Sequence, residues 1–273
     1  MGVDSLEPQY PCPEGYRIFK SIQSRSNLIW RQHLDAAAAI HARLDEISGV
    51  PNSDSGFHVS FDKYFDNLSA RQCHRKQLPC KLSNGVNGTL CVTQELANQV
   101  YRLGHWEYSW IYRDSPASLA ASVSTFGVWV LELAQHLRSA MNGCSETVYY
   151  HNVAHDGSVS RLLSILQVDE MAWPGMGAEV VFELYQRTNV LEQQLTQAKQ
   201  ESQTQIPGSN FERYFIRVLY SGQVLKSSNP ALGTMEMVPA LTLLGYFDQV
   251  VGTSGSDVRL KCEDSGQYRS SVL

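Results

Sequence analysis

The sequence has no long apolar run, no secretory leader and no excess of positive charge. None of its apolar stretches approaches the roughly 20 residues that a membrane-spanning helix requires, so the sequence predicts no membrane span. Residues 1–15 are polar and rich in proline, without the apolar core of a signal peptide. The net charge is -5 and no basic run occurs, which argues against a nucleic-acid partner.

Closely spaced CxxC pairs are also absent, although the chain has six cysteines: Cys12, Cys73, Cys80, Cys91, Cys144 and Cys262. Asn67 and Asn87 each begin a glycosylation sequon beside the cluster of three cysteines between residues 73 and 91. An even cysteine count next to sequons predicts disulfide bonds in the secretory pathway lumen or outside the cell. Zinc at Cys73 and His74 is the alternative, which the lack of closely spaced ligand pairs disfavours. The spacing leaves the pairing of the cysteines open.

The pattern of apolar residues changes along the 273-residue chain, which is long enough for one large domain or two modest ones. Before residue 144 it predicts helices over residues 18–47, from Thr93 to Tyr101 or beyond, and from Pro116 to about Met141. After residue 144 it predicts strands over residues 147–152, 179–185 and 214–225 and a helix over residues 159–166. This order is typical of an α/β core with a helical subdomain, although three strands make a thin sheet.

The pair His155–Asp156 lies where the first predicted strand gives way to the predicted helix. Helix N-termini attract anions, so a histidine and a carboxyl group at this position could bind a phosphate and deliver a proton. A plain helix cap at Asp156 is one alternative. Another is metal binding by His151 and His155, which strand geometry disfavours because residues four apart share a side of a strand but lie too far apart to chelate easily.

Three strings of the sequence together resemble the histidine acid phosphatases of the phosphoglycerate mutase-like superfamily, and within them the 2-phosphoxylose phosphatase-like branch. They are residues 152–163 (Asn-Val-Ala-His-Asp-Gly-Ser-Val-Ser-Arg-Leu-Leu), 173–185 (Trp-Pro-Gly-Met-Gly-Ala-Glu-Val-Val-Phe-Glu-Leu-Tyr) and 214–220 (Tyr-Phe-Ile-Arg-Val-Leu-Tyr). The cysteine-rich loop and residues 104–108 resemble that branch's helical cap, so the likeness covers about residues 8–262. It implies an incomplete phosphoglycerate mutase-like α/β sandwich. Residues 1–143 would form the cap, residues 144–262 the C-terminal half of the core, and residues 263–273 a disordered tail.

The resemblance also implies roles for particular residues. His155 would contact the phosphate of a phosphomonoester, possibly a phosphorylated glycan, and Asp156 would protonate the leaving alcohol, with no cofactor. Cys12 and Cys262 would form a disulfide between the cap entrance and the tail. The family's nucleophile lies in an Arg-His-Gly-x-Arg motif, and this motif is absent from the sequence. We therefore expect an N-terminally truncated chain that is inactive or weak as an acid phosphatase; the alternative is a non-catalytic pseudophosphatase or a glycan-binding protein.

Overall fold

A computed structural model describes residues 12–81, 90–188 and 211–263, which divide into two compact units. We call Tyr16–Ala121 together with Glu170–Trp173 the helical unit. The rest of the described residues, chiefly Ser122–Asp169 and the chain from Pro174 onward, form the mixed unit. The predicted boundary between residues 143 and 144 remains a prediction. So does the identification of the two parts of the chain as a cap and a core.

The first part of the chain forms helices α1 (Pro13–Ile22), α2 (Leu28–Ala36), α3 (Ala38–Ser48), α4 (Asp62–Cys73) and α5 (Gln94–Ser109), and α5 continues into a π-helical turn over Trp110–Asp114. The pattern predicted as one helix over residues 18–47 is therefore divided into three. Asn27 starts α2, because its Oδ1 accepts the backbone N–H groups of Ile29 and Trp30 at 3.1 and 3.2 Å. Thr93 caps α5 through the N–H of Leu96 at 3.2 Å, at the start that the sequence predicts.

The core of the helical unit is built from aromatic and aliphatic side chains of α3, α4 and α5. Phe61 is fully buried, and the Phe65 ring stacks on Trp173 with 4.0 Å between ring centroids. Tyr108 stacks on the same indole at 4.0 Å. Gly104 lies against the Phe65 ring, which permits the close approach of α5 to α4.

The second part contains α6 (Ser118–Met141), α7 (Asp156–Ile165), α8 (Ala240–Val250) and α9 (Gly255–Glu263), and strands β1 (Val180–Gln186), β2 (Tyr214–Tyr220), β3 (Gln223–Val224) and β4 (Val238–Pro239). The strands form an antiparallel sheet in which β2 pairs with β1, β3 and β4. Ser221 and Gly222 both have positive φ, so β2 and β3 form a tight hairpin where one strand was predicted. The mixture of helices and sheet agrees with the predicted α/β class. The more specific prediction, a phosphoglycerate mutase-like sandwich, remains a prediction.

The core of the mixed unit lies between the sheet and its helices. Ile216 and Val218 are fully buried on one face of β2, where α8 contacts the strand. On the opposite face Glu183 of β1 faces Arg217 of β2 across the ladder. Arg217 Nε donates to Glu183 Oε2 at 2.5 Å, and this hydrogen bond lowers the pKa of the Glu183 carboxyl. The pair is a cross-strand contact on a half-exposed face of the sheet.

Two disulfide bonds are present, as expected from the cysteine content. One joins Cys12 to Cys262 and the other joins Cys80 to Cys91, whereas Cys73 and Cys144 are exposed free thiols. Asn67 lies exposed on α4, and its Oδ1 accepts a hydrogen bond from Arg71 Nε at 3.1 Å. Asn87 lies outside the described residues, as do residues 264–273 of the predicted tail. Glycosylation of both asparagines stays a prediction.

Taken singly, none of the helices in the described ranges combines the length and apolar character of a membrane span. One bent pair of helices, Gln94–Asp114 with Ser118–Met141, meets the length and composition criteria only when the two are taken together.

Candidate functional site

The predicted site residues His155 and Asp156 lie at the start of α7. Asp156 is the first helical residue and His155 occupies the cap position, so the helix starts three residues earlier than predicted. The backbone of His155 is extended, and its carbonyl accepts the N–H groups of Ser158 and Val159 at 3.0 Å. Asp156 Oδ1 accepts the N–H of Gly157 at 2.6 Å. The carboxyl group therefore lies over the first turn, where the helix dipole favours negative charge.

Accessibility differs between the two faces of α7. His155 is exposed and Asp156 is half-buried, whereas Ser158 and Ser160 on the inner face are buried. Arg161, one turn further on, donates from Nη1 to the Gly157 carbonyl at 2.8 Å and from Nε to Thr125 Oγ1 at 3.1 Å. These bonds fix the start of α7 to α6. A ligand can reach an imidazole and a carboxyl group here, which can together contact an anion and transfer a proton.

The strand predicted over residues 147–152 does not form. Residues 144–155 have no regular secondary structure, and the apolar side chains among them face solvent: Val148 is 100% exposed, Val153 79% and Tyr149 74%. The pattern is strand-like, but a strand also needs a neighbouring strand to bond with. Within the described residues, the backbone groups of residues 148–153 make no hydrogen bond to the protein. We call residues 147–153 the exposed segment.

A buried polar network in the helical unit was not predicted. His58 Nε2 lies 2.8 Å from Asp45 Oδ2, and the Tyr64 hydroxyl donates to Asp45 Oδ1 at 2.5 Å. Burial, and then the hydrogen bond to Asp45, raises the pKa of Tyr64. His41 lies beside the network, with its ring centroid 5.4 Å from that of His58. A cavity of about 700 Å³ borders this region and is lined by both histidines and Asp45.

A second buried contact connects α2 with α5. Glu107 is 1% exposed and accepts a hydrogen bond from the Phe61 N–H at 2.9 Å, and its Oε1 lies 2.8 Å from His33 Nε2. Burial raises the pKa of Glu107, while the bonds to His33 and Phe61 oppose that shift. His33 and Glu107 are 74 residues apart and belong to no motif, so no sequence signal could have paired them. The contact positions the loop before α4 and has no access to a ligand.

His151 and His155, and Cys73 and His74, are the residues of the two metal-binding alternatives that the sequence left open. Across residues 12–81, 90–188 and 211–263 no group of three or more His, Cys, Asp or Glu side chains is arranged to hold a metal ion. His151, His155, Cys73 and His74 are all exposed. In comparisons with known proteins, no protein-family model and no curated protein matches the chain.

Proposed function

We propose that this chain is the acid-bearing half of a phosphomonoester hydrolase, in which His155 contacts the phosphate and Asp156 protonates the leaving alcohol. The observation that carries the proposal is the position of this accessible pair at the start of α7, a ten-residue helix. Helix N-termini favour anions through their dipole and backbone N–H groups. The resemblance of residues 152–163, 173–185 and 214–220 to histidine acid phosphatases supports the same chemistry.

The proposed step is proton donation to a poor leaving group. In the complete family a histidine nucleophile bonds to phosphorus and forms a phosphohistidine. As that bond forms and the bond between phosphorus and the ester oxygen breaks, the ester oxygen takes the proton of the Asp156 carboxyl and leaves as a neutral alcohol. A positioned acid contributes roughly 10²–10⁴-fold to such a reaction. The negative charge of a bound phosphate also favours the protonated form of a neighbouring carboxyl group. The step uses no cofactor.

The proposal assigns only half of the site to this chain. The Arg-His-Gly-x-Arg motif that carries the nucleophile in the resembling family is absent from the sequence. We therefore expect the chain alone to bind phosphate weakly and to turn over phosphomonoesters very slowly. Phosphomonoesters in general, with phosphorylated glycans among them, are the proposed substrates. The secretory pathway lumen or the extracellular space, where disulfide bonds persist, is the proposed location.

Phosphate binding tests the proposal on the chain as it is. Titration with inorganic phosphate, followed by NMR, should shift the His155 ring signals and the amide signals of the first turn of α7. His155→Ala should weaken this binding, whereas Asp156→Asn should leave it unchanged or strengthen it, because it removes a negative charge next to the anion. His151→Ala is the matched control, since His151 is an exposed histidine four residues upstream. Equal effects of the two alanine variants, or no shift at α7, would contradict the proposal.

The role of Asp156 as the acid can be tested separately, by measuring turnover, in any form of the protein that carries the nucleophile motif. Asp156→Asn should lower the turnover of an alkyl phosphate by roughly 10²–10⁴-fold. The same variant should have much less effect on an aryl phosphate with a good leaving group, which needs no proton. Equal losses on both esters would remove Asp156 as the acid.

A further inference from the structure

The cavity beside Asp45 and His58 has the size and lining of a small-molecule site. Its volume of about 700 Å³ lies within the range of pockets that hold small organic ligands. Leu34 and Asp45 on its lining are buried, whereas Lys20 and Arg25 are exposed. All of the lining residues belong to the helical unit, so the cavity is separate from the start of α7, which belongs to the mixed unit.

The His58 ring is held so that one of its nitrogens is available to a ligand. Its Nε2 lies 2.8 Å from Asp45 Oδ2, and the other Asp45 oxygen accepts the Tyr64 hydroxyl. Because a carboxylate only accepts hydrogen bonds, Nε2 carries the proton of this contact. Nδ1 has no hydrogen-bond partner in the described residues, and His58 lines the cavity with its side chain 15% exposed. In the neutral ring Nδ1 is therefore an acceptor for a ligand hydroxyl group.

Among the charged side chains of the lining, Lys20 is the one without a partner in the described part of the chain. Arg25 Nη1 lies 3.6 Å from Asp35 Oδ1, and Asp45 contacts His58. A ligand with one negative charge can pair with the Lys20 ammonium group. The second charge of a phosphate dianion would find no unpaired cation, and it would be repelled by Asp35 and Asp45. The charges therefore favour a monoanion.

The uncharged polar side chains of the lining suit a ligand with several hydroxyl groups. Gln23, Asn52 and Ser55 lie on the lining, and their side chains make no hydrogen bond to the described residues. Amide and hydroxyl side chains both donate and accept hydrogen bonds, as the hydroxyl groups of a sugar or polyol do. Leu34 and Val59 lie on the same lining and offer apolar surface to a carbon skeleton.

We propose that the cavity of the helical unit binds a small organic monoanion that carries hydroxyl groups, of the class of the sugar acids. Lys20 binds the carboxylate, and His58 Nδ1 accepts a hydrogen bond from a ligand hydroxyl. Asp45 and Tyr64 position the His58 ring and do not touch the ligand. The inference does not rest on the proposed phosphatase function, because the two sites lie in different units and are observed through different signals.

Three six-carbon probes test the two parts of this recognition. NMR titration follows the His58 ring and the side-chain amides of Gln23 and Asn52. Gluconate should bind roughly tenfold more tightly than glucitol, which lacks the charge, and than hexanoate, which lacks the hydroxyls. Inorganic phosphate should bind in the cavity more weakly than gluconate, whatever it does at α7. Equal affinities for the three probes, no shift of the cavity signals, or tighter binding of phosphate in the cavity would overturn the proposal.

Two variants separate the contact to the charge from the contact to the hydroxyl. Lys20→Gln should weaken gluconate binding roughly tenfold and leave glucitol binding unchanged. Lys76→Gln is the matched control, because Lys76 is an exposed lysine of the same unit outside the cavity lining. His58→Gln keeps an N–H donor for Asp45 and removes the Nδ1 acceptor, so it should weaken gluconate and glucitol alike.

Circular dichroism establishes that each variant is folded. Lys20 is an exposed residue in the last turn of α1, so Lys20→Gln tests the proposal even where His58→Gln fails to fold. Equal losses of gluconate affinity in Lys20→Gln and Lys76→Gln would overturn the assignment of the carboxylate to Lys20. Unchanged glucitol affinity in a folded His58→Gln variant would overturn the assignment of the hydroxyl to His58.

Discussion

His41 shows what burial does to a single titratable residue. It is 7% exposed, its ring stacks on Phe61 with 3.8 Å between centroids, and its Nε2 has no hydrogen-bond partner in the described part of the chain. Burial, and then the nearby His58, lowers the pKa of His41 from its ordinary value of 6.5 to about 4. The folded protein therefore holds this imidazole neutral.

A pH dependence of stability follows from this shift. Between pH 6.5 and about 4 the unfolded chain binds a proton at His41 and the folded chain does not, so the free energy of unfolding should fall as the pH falls. The loss should be on the order of 2–3 kcal/mol by pH 4. His41→Phe should remove this part of the pH dependence, as measured by urea unfolding at several pH values. The exposed residue His74 supplies the control, and His74→Gln should leave the pH dependence intact. If the free energy of unfolding of His41→Phe still falls with pH as steeply as that of the unmodified chain, the prediction is contradicted.

At the scale of elements, local signals in the sequence place several helices and the strands β1 and β2, but they wrongly predict a strand over residues 147–152. Thr93 marks the start of α5 because a cap acts on N–H groups within the next turn. Residues 147–152 have equally clear strand propensity, but a ladder depends on a partner that propensity does not supply. The same limit applies to the sites. His155–Asp156 is contiguous and can be found in the sequence, whereas Asp45 and Tyr64 meet across 19 residues without a motif.

The packing of α5 on α4 depends on one glycine. A Cβ at Gly104 would overlap the Phe65 ring, and that ring cannot withdraw easily because Trp173 stacks on it. Gly104→Ala should lower the free energy of unfolding by roughly 2–3 kcal/mol, since overpacking outweighs the better helix propensity of alanine. Tryptophan fluorescence during urea unfolding can report it, because Trp30, Trp106, Trp110 and Trp173 all belong to the helical unit.

The matched control for this prediction is a glycine inside α8. A Cβ at Gly245 would have no atom within 4 Å, so Gly245→Ala should stabilise its unit by roughly 0.5–1 kcal/mol. Far-UV circular dichroism can follow this change. If Gly104→Ala and Gly245→Ala change the free energy of unfolding in the same direction, the lack of a side chain at residue 104 is not what allows α5 to pack on α4.

At the scale of the whole molecule, the disulfide between Cys12 and Cys262 encloses nearly all of the chain. Its two cysteines are 250 residues apart and both are buried in the mixed unit, whereas Cys80 and Cys91 are only 11 residues apart. A crosslink restricts the unfolded chain more strongly when it closes a longer loop. The two bonds should therefore differ in how much each stabilises the protein.

Replacing each cysteine pair with alanine measures that difference. The loop-entropy relation gives a loss of roughly 5 kcal/mol for Cys12→Ala/Cys262→Ala and roughly 3 kcal/mol for Cys80→Ala/Cys91→Ala. Urea unfolding of the two double variants without reductant gives both values, and reduction of the unmodified chain should cost at least as much as the larger one. Because the long-loop pair is also well buried, its removal should leave a small packing defect that adds to the loss. An equal or larger loss from the short-loop pair would show that restriction of the unfolded chain, which grows with loop length, does not determine how these bonds act.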